Sequence, residues 1–516
     1  MFFVSWKVEG MASSQAGVLT NRFVQMIVKP PSWLVYSILA GPSVLTYLIA
    51  SHFTYRLGYP LDDAWIHQTY ARNLVMTGEW AFMPGHPSAG STAPLWSFIL
   101  AVGYLLETNH FLWSSLWGGI GLASLGMLSA KAFMALLPDR KDWAPWVGTF
   151  MIFEWHLAWA ASSGMETSLY SALALLVITH LVTGSSRWLL LGGLIGLAAW
   201  LRPEGSTLIL PVSMVILFQE RSWILRLMAL IRHITGMAVI LAPYLFFNHS
   251  ISGTWWPNTY YAKQAEYAIE LYEPVLDRIL EQFMLPMVGV GFLLLPGFLI
   301  MIVSAWKYRR WAVLAAASWA IGVALLFAMR LPVTYHHGRY LIPVMPVYFL
   351  LGLTGSIGIV KFSSRLVWER VIGKIWLLST TVVLMIFWIL GARAYGRDVA
   401  FIESEMVAVA LWVSEHTEDD ALIATHDIGA LGYFSNRSLL DLAGLVSPDV
   451  IPFIRDETRL RAYLNANDAD YLVTFPGWYP ELVSYTQPVF NTNGRFSPLL
   501  GGENMVVYRW EAGPDD

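Results

Sequence analysis

The first three quarters of the chain consist of long apolar runs parted by short polar connectors. A bilayer crossing takes about 20 mainly apolar residues. Runs of that kind lie at 33–51, 111–130, 143–161, 167–183, 188–200, 206–218, 234–248, 283–304, 311–329, 340–360 and 375–392, so about eleven transmembrane helices are expected. The stretch 92–106 is short for a span and stops at Glu107; it is expected to lie along the interface as an amphipathic helix. Near residue 393 the pattern changes. Helical spacing over 400–416 is followed by ALIATHD, SLLDL, DYLVTF and MVVYRW, short apolar runs ended by Asp, Gly or Pro, which read as strands. The expected architecture is an N-terminal segment 1–32, an all-α polytopic membrane domain 33–392 with a long loop 52–110, and a small α/β domain 393–516.

Charge fixes the expected sidedness. The segments 1–32, 131–142, 184–187, 219–233, 307–310 and 361–374 carry 17 Lys or Arg, whereas the alternate loops carry 7. Positive charge marks the cytoplasm, so the N-terminus is expected inside and the long loops and C-terminal domain outside, in a multi-pass protein of the plasma (inner) membrane. Counting 92–106 as a span would swap the later loops and erase this asymmetry. Only 13% of residues are charged, against roughly 25% in ordinary soluble domains, and the net charge of −4 offers no basic field for nucleic acid. With no cysteine, disulfides, thiolate zinc sites and thiol catalysis are excluded. No phosphate-binding glycine loop or zinc-protease motif is present, so nucleotide-driven pumping is not encoded.

Candidate chemistry gathers on the expected outer loops. Asp62-Asp63 follows the turn Gly58-Tyr59-Pro60. Either carboxylate suits the N-cap of the helix beginning AWIHQ, and the same placement suits a general base or a ligand to a divalent cation. His67 falls on the same helical face, and Arg72, Asn73 and Glu79 lead into PGHPSAGSTAPLW, with His86, Ser91 and Thr92. Glu166 is the one charge of its short loop. Arg202-Pro203-Glu204-Gly205 interrupts two apolar segments, a break tolerated at membrane depth where it lines a cavity. Arg202 and Glu204 form an ion pair on one reading; on the other, Arg202 faces a lipid phosphate. Glu154 is an intramembrane carboxylate, a functional candidate or a partner for His156. Lys263, Arg330, His336, His337 and Arg339 are the remaining cations on these loops, serving as interfacial anchors or as phosphate ligands. His426-Asp427 reads as a turn.

An acidic pair after the first span, then Ala71-Arg72-Asn73-Leu74, Pro84-Gly85 and Pro94-Leu95-Trp96, resembles the GT-C superfamily of integral membrane glycosyltransferases. Within it the pattern is most similar to the bacterial branch that includes the mycobacterial arabinofuranosyltransferases using decaprenyl-phosphate arabinose. Further matches are Ser163-Gly164-Met165-Glu166-Thr167, Leu201-Arg202-Pro203-Glu204-Gly205, Pro257-Asn258-Thr259-Tyr260-Tyr261-Ala262-Lys263, Gly338-Arg339-Tyr340-Leu341 and Asp427-Ile428-Gly429-Ala430-Leu431-Gly432. The segment His86 to Thr92 departs from the pattern. The resemblance implies a catalytic first-loop aspartate, Asp62 or Asp63, and a cleft including Arg72, Glu166, Glu204, Asn258 and Tyr261.

A glycosyltransferase facing outward has no nucleotide sugar to draw on. It is therefore expected to move a hexosyl or pentosyl group from a polyprenyl-phosphate donor to a glycan, lipid or protein acceptor, with inversion. Asp62 or Asp63 would be the base, and Arg339, with Arg202, Lys263 and His337, would bind the donor phosphate. No cofactor is required; a divalent cation (Mg or Mn) held by Asp63 is compatible. The alternatives are a secondary transporter or lipid flippase, which calls for polar residues at the midplane and two matched halves, and a non-catalytic scaffold, which needs neither the acidic pair nor the clustered cations.

Overall fold

The computed structural model describes residues 32–220, 222–360, 365–484 and 486–511; the expected N-terminal segment lies outside them save for its last residue. Among the described residues, seven helices are long and apolar enough to cross a membrane: Trp33–Thr54, His110–Leu136, Trp223–Ser252, Gly289–Lys307, Trp311–Arg330, Tyr335–Ile359 and Val367–His416. Shorter apolar helices complete the bundle, among them Thr167–Val182, Trp188–Leu201 and Pro203–Gln219. The chain is a multi-pass membrane protein. Tyr335–Ile359 is 89% buried and forms the centre, whereas Trp223–Ser252, at 17%, presents most of its surface outward. Lipid gives no hydrophobic drive for helix pairing, so close backbone approach at small residues does the packing. A Cβ on Gly192 would collide with the His233 carbonyl and one on Gly236 with that of Leu189, which is how Trp188–Leu201 and Trp223–Ser252 come together.

Two interruptions position polar groups inside the bundle. At Glu154 the backbone turns extended, ending Ala144–Phe153 and starting Trp155–Ser162. Its carboxylate caps the second helix at Leu157 N–H, 3.1 Å away, and meets His156 Nδ1 at 2.9 Å. This intramembrane acid is consumed by the helix break it serves. At Arg202 the backbone is likewise extended between Trp188–Leu201 and the 3-10 turn Pro203–Leu208. The expected interfacial segment is the helix Pro94–Leu105, opened by its proline.

The helix that carries the last expected span continues past 392. One helix runs Val367–Ser404 through the expected domain boundary, followed by Met406–His416. Strands β1 (Ala81–Met83) and β2 (His86–Pro87) lie in the long loop, and the chain beyond this helix forms a five-stranded sheet of β3 (Leu422–Thr425), β4 (Ser438–Asp441), β5 (Tyr471–Thr474), β6 (Thr486–Asn491) and β7 (Val506–Trp510), in the order β4-β3-β5-β7-β6. β3 pairs parallel with β4 and β5, and β7 pairs antiparallel with β5 and β6. A separate core of Leu442, Val450, Leu460, Leu464, Leu472 and Trp510 lies within this unit. A two-stranded ladder, Ala81–Met83 with His86–Pro87, braces the long loop.

Candidate functional site

The long loop and the tail domain are clamped through one short helix, Gly429–Phe434. Asp62 stands at the N-cap position of Asp63–Thr77 without capping it, because its own backbone is already helical and a cap needs extended geometry. Its two carboxylate oxygens instead accept from Gly429 N–H at 2.7 Å and Ala430 N–H at 2.8 Å. Gly429 is required for this approach, since a Cβ there would strike the Asp62 carbonyl oxygen. At the other end, Arg72 donates to the carbonyls of Tyr433 (2.6 Å) and Gly432 (3.2 Å) and lies over the Tyr433 ring. Arg72, expected in the substrate cleft, is thus a docking residue for the tail. Trp65 packs between Tyr433 and Phe434, with ring centres 4.8 and 4.7 Å away.

Asp63 diverges from its neighbour. Its Oδ2 lies 3.2 Å from Lys263 Nζ and 2.7 Å from Arg339 Nη2. Burial opposes a charge here, but Lys263 and Arg339 override it and hold the Asp63 carboxyl well below the usual range. Asp62 goes the other way: burial, only partly offset by the two backbone donors, pushes it up to about 6. Since the two carboxylates point to different partners, they do not form one cation site, and among the described residues no group of three acidic or histidine side chains is placed to hold a metal. Tyr340 completes the junction, with Arg202, Lys263 and Arg339 at 5.2, 5.5 and 4.9 Å from its ring centre and its hydroxyl 3.0 Å from Arg339. His336, His337 and Gly338 are all left-handed, with φ of 49°, 60° and 68°, a costly turn for non-glycine residues that delivers Arg339 to this point.

The junction of Asp63, Lys263 and Arg339 is a wall shared by two cavities. The first, about 260 Å³, opens among the ends of the membrane helices and is lined also by Glu166, Arg202, Glu204, Arg330 and Tyr340. Arg202 bridges Glu166 (3.0 Å) and Glu204 (3.3 Å), so its charge is already met by two carboxylates, and the ion-pair reading describes it. Arg339, which lines both cavities, has a buried Nε–H without an acceptor, and Arg330, exposed at the end of Trp311–Arg330, forms no ion pair with a described carboxylate. Thr92 and Thr259 hold the rim together by a 3.1 Å hydrogen bond.

The second cavity, about 500 Å³, is roofed by the tail domain and lined by Asp62, Glu266, His336, His426, Asp427 and Arg455 among others. Glu266 pairs with Arg455 and lies 3.7 Å from His426 Nε2. Burial, and secondarily Arg455, lowers the His426 imidazole to about 3, so it is neutral at ordinary pH. Burial and then Asp62, Asp63 and Glu266 raise the Asp427 carboxyl well above its ordinary value.

Besides Arg72, three expected site residues stand apart from both cavities. His337 faces Asp398 at 2.8 Å, wedged between Trp155 and Trp159; its neighbour His336 lines the larger cavity instead. Tyr261 lines neither cavity, while Tyr260 lines the smaller. Asn258 is buried beneath the rim, its N–H bonded to the Ala89 carbonyl. Glu266, Asp427 and Arg455 escaped sequence reasoning because their chemistry exists only once the tail folds over the loop, although Asp427 stands in a segment that carried the GT-C resemblance.

A protein-family profile described as a domain of unknown function, DUF8728, matches residues 397–508. No curated protein matches the chain. Among solved structures, ArnT from Cupriavidus metallidurans bound to undecaprenyl phosphate overlays with a TM-score of 0.57 at 16% identity, covering 94% of this chain and 99% of its own. The Archaeoglobus fulgidus oligosaccharyltransferase gives 0.60 at 11% identity, covering 90% and 74%; in another structure, named AglB, it is in complex with an inhibitory peptide and a dolichol-phosphate. The mycobacterial arabinofuranosyltransferase AftD overlays at 0.46 and 14% identity, covering 93% and 40%. The chain shares the fold of ArnT and of the Archaeoglobus fulgidus oligosaccharyltransferase.

Proposed function

We propose that this protein is a glycosyltransferase that takes sugar from a polyprenyl-phosphate donor and passes it to a hydroxyl acceptor with inversion. The observation that carries the reading is the shared wall. One carboxylate, Asp63, faces both cavities while ion-paired to two cations, Lys263 and Arg339. The donor phosphate belongs in the smaller cavity, where Arg339 Nε–H lacks an acceptor and Arg330 lacks a carboxylate. A nearly apolar cavity of about 200 Å³, running past Ile321, Ala324, Leu341 and Met345, suits the first isoprene units. ArnT carries undecaprenyl phosphate and AglB a dolichol-phosphate, which supports a lipid phosphate as the donor class. The loop-charge asymmetry supports an active site on the non-cytoplasmic face.

In the reaction the acceptor oxygen attacks the anomeric carbon from the face opposite the phosphate. The carbon–oxygen bond to phosphate breaks with its electron pair, and the acceptor proton passes to Asp63. A carboxylate held by two cations is a weak base, but the departing phosphate competes for those cations. As Lys263 and Arg339 turn to the leaving group, Asp63 loses the charges that depress it and becomes the stronger base. Asp62, with both oxygens committed to Gly429 and Ala430, holds the roof in place.

The experiment is Asp63→Asn and Asp62→Asn, made separately, with transfer from a radiolabelled polyprenyl-phosphate sugar measured in membranes. Asp63→Asn is expected to cost roughly 100-fold or more in rate, the scale of one lost transition-state group. Full activity in Asp63→Asn removes the proposed base.

A further inference from the structure

The tail-roofed cavity has a chemistry of its own that phosphate transfer does not use. Two carboxylate oxygens that line it, Glu266 Oε2 and Asp427 Oδ2, are buried and have no hydrogen-bond donor among the described residues. The Glu266 side chain is only 8% exposed. Burial raises the Glu266 carboxyl and, with the neighbouring acids, holds Asp427 well above its ordinary value; a neutral carboxyl both donates and accepts, and a buried polar oxygen without a partner calls for one from a ligand or ordered water. The cations of the same cavity are already engaged, Lys263 and Arg339 by Asp63 and Arg455 by Glu266. An anionic guest would find these cations already paired with carboxylates.

The remaining lining is aliphatic and aromatic. Trp478 is 42% exposed and borders the opening. It is set edge-on to His426 at 5.1 Å and 5.1 Å from Phe475, which stacks on Phe401. His426 is held by the Tyr479 hydroxyl, 2.7 Å from Nδ1, so this wall is built, not collapsed onto the site. A volume of about 500 Å³ lies within the range of small-molecule sites.

We propose that this cavity is a subsite for a neutral, hydroxyl-bearing sugar ring, the acceptor, with Asp427 and Glu266 receiving its hydroxyl hydrogen bonds and Trp478 covering its apolar face. The inference rests on the glycosyltransferase reading and narrows it: the acceptor end is a glycan without phosphate or carboxylate at this ring. It also gives the matched domain of unknown function a task, which is to supply His426, Asp427, Arg455 and Trp478 as the roof of an acceptor site.

The test uses the full chain in lipid nanodiscs and saturation-transfer NMR. The probes are the methyl glycosides of glucose, mannose and arabinofuranose, with glucose 6-phosphate as the anionic comparator and undecaprenyl phosphate binding read in parallel. At least one neutral glycoside is expected to receive saturation at its ring protons. Asp427→Ala and Trp478→Ala should each weaken that binding by about tenfold, the scale of one lost contact to a charged or aromatic partner, while undecaprenyl phosphate binds as before and reports an intact fold. Binding of glucose 6-phosphate as tight as that of the neutral glycosides overturns the proposal. So does the absence of glycoside binding in protein that still takes undecaprenyl phosphate, or a peptide or lipid displacing saturation that no sugar displaces. Glycoside binding without undecaprenyl phosphate binding supports the sugar subsite and counts against the donor reading instead.

Discussion

The two cavities share a wall and differ in what lies beyond it. On the membrane side the cations Arg202, Lys263, Arg330 and Arg339 outnumber the carboxylates Asp63, Glu166 and Glu204. Under the tail the balance reverses, with Asp62, Asp63, Glu266 and Asp427 against Lys263, Arg339 and Arg455. A group that leaves as phosphate and a group that attacks as a hydroxyl need opposite surroundings, and this arrangement provides both within one ion pair's width. Charge separation of this kind holds because Asp63 is paired with both Lys263 and Arg339 at the boundary, leaving one net positive charge; each alone would be a buried charge without a partner.

Removing the boundary cation should have the largest effect. Arg339 belongs to both cavities, and Arg339→Ala takes away the unpaired Nε–H proposed for the donor phosphate and one of the two partners of Asp63. Transfer is expected to fall roughly 100- to 1000-fold. Arg339→Lys should recover little, because a point charge cannot hold the carboxylate and offer the Nε–H at once. The measurement is initial rate with saturating donor. A loss under tenfold would mean that the wall is structural and the phosphate sits elsewhere.

A narrower change should separate the cavities. Gly429→Ala drives a methyl group into the Asp62 carbonyl and carboxylate, lifting the Gly429–Phe434 helix off the loop without touching the membrane-side cavity. The acceptor KM should rise by about tenfold, a 1.4 kcal/mol change, with the donor KM unmoved. Trypsin should cut the tail faster, because opening a docked element exposes its backbone. If both KM values rise together, the roof and the membrane side are one mechanical unit and the division drawn here fails.

The membrane side of this division was far more legible in the sequence than the tail side. Apolar runs mark nearly every helix of the bundle, and Asp63, Glu166, Arg202, Glu204, Lys263 and Arg339, all candidates on residue type and motif, line one cavity. The last helix outruns its apolar run: Arg393, Arg397 and Asp398 mark the end of apolar character, whereas the helix Val367–Ser404 continues on backbone hydrogen bonds that are indifferent to where lipid stops. Four of the five tail strands follow from their apolar runs. The missed one, β6, carries Pro488 and mostly exposed residues, as an edge strand can. Asp62 shows the limit most clearly: its position announces an N-cap, but the donors it found are 367 and 368 residues away. No local pattern encodes such a partner. For the same reason Asp427 read as a turn, since only the folded tail turns it toward Asp62 and Asp63.

The smallest effect concerns protons and bears on the boundary alone. Asp63 is held below the usual carboxylate range by Lys263 and Arg339 against the pull of burial. Its ionised form therefore stabilises the fold above the unfolded carboxylate pKa of about 4, and that contribution is lost only as pH falls through the depressed folded value. With Lys263→Met, burial is opposed by Arg339 and little else, so the Asp63 pKa must rise. Protonation then enters the working range from the acid side. The ratio of variant to wild-type transfer rate, taken from pH 7.5 down to 5, is expected to decline by a few-fold, while the margin by which the variant melts earlier than wild type is widest at pH 7.5 and narrows toward pH 5, because protonation relieves the buried charge. Using the ratio cancels titrations common to both proteins, such as that of Asp62 at about 6. A ratio independent of pH would show that Lys263 does not set the charge of Asp63, and the boundary would then rest on Arg339 by itself.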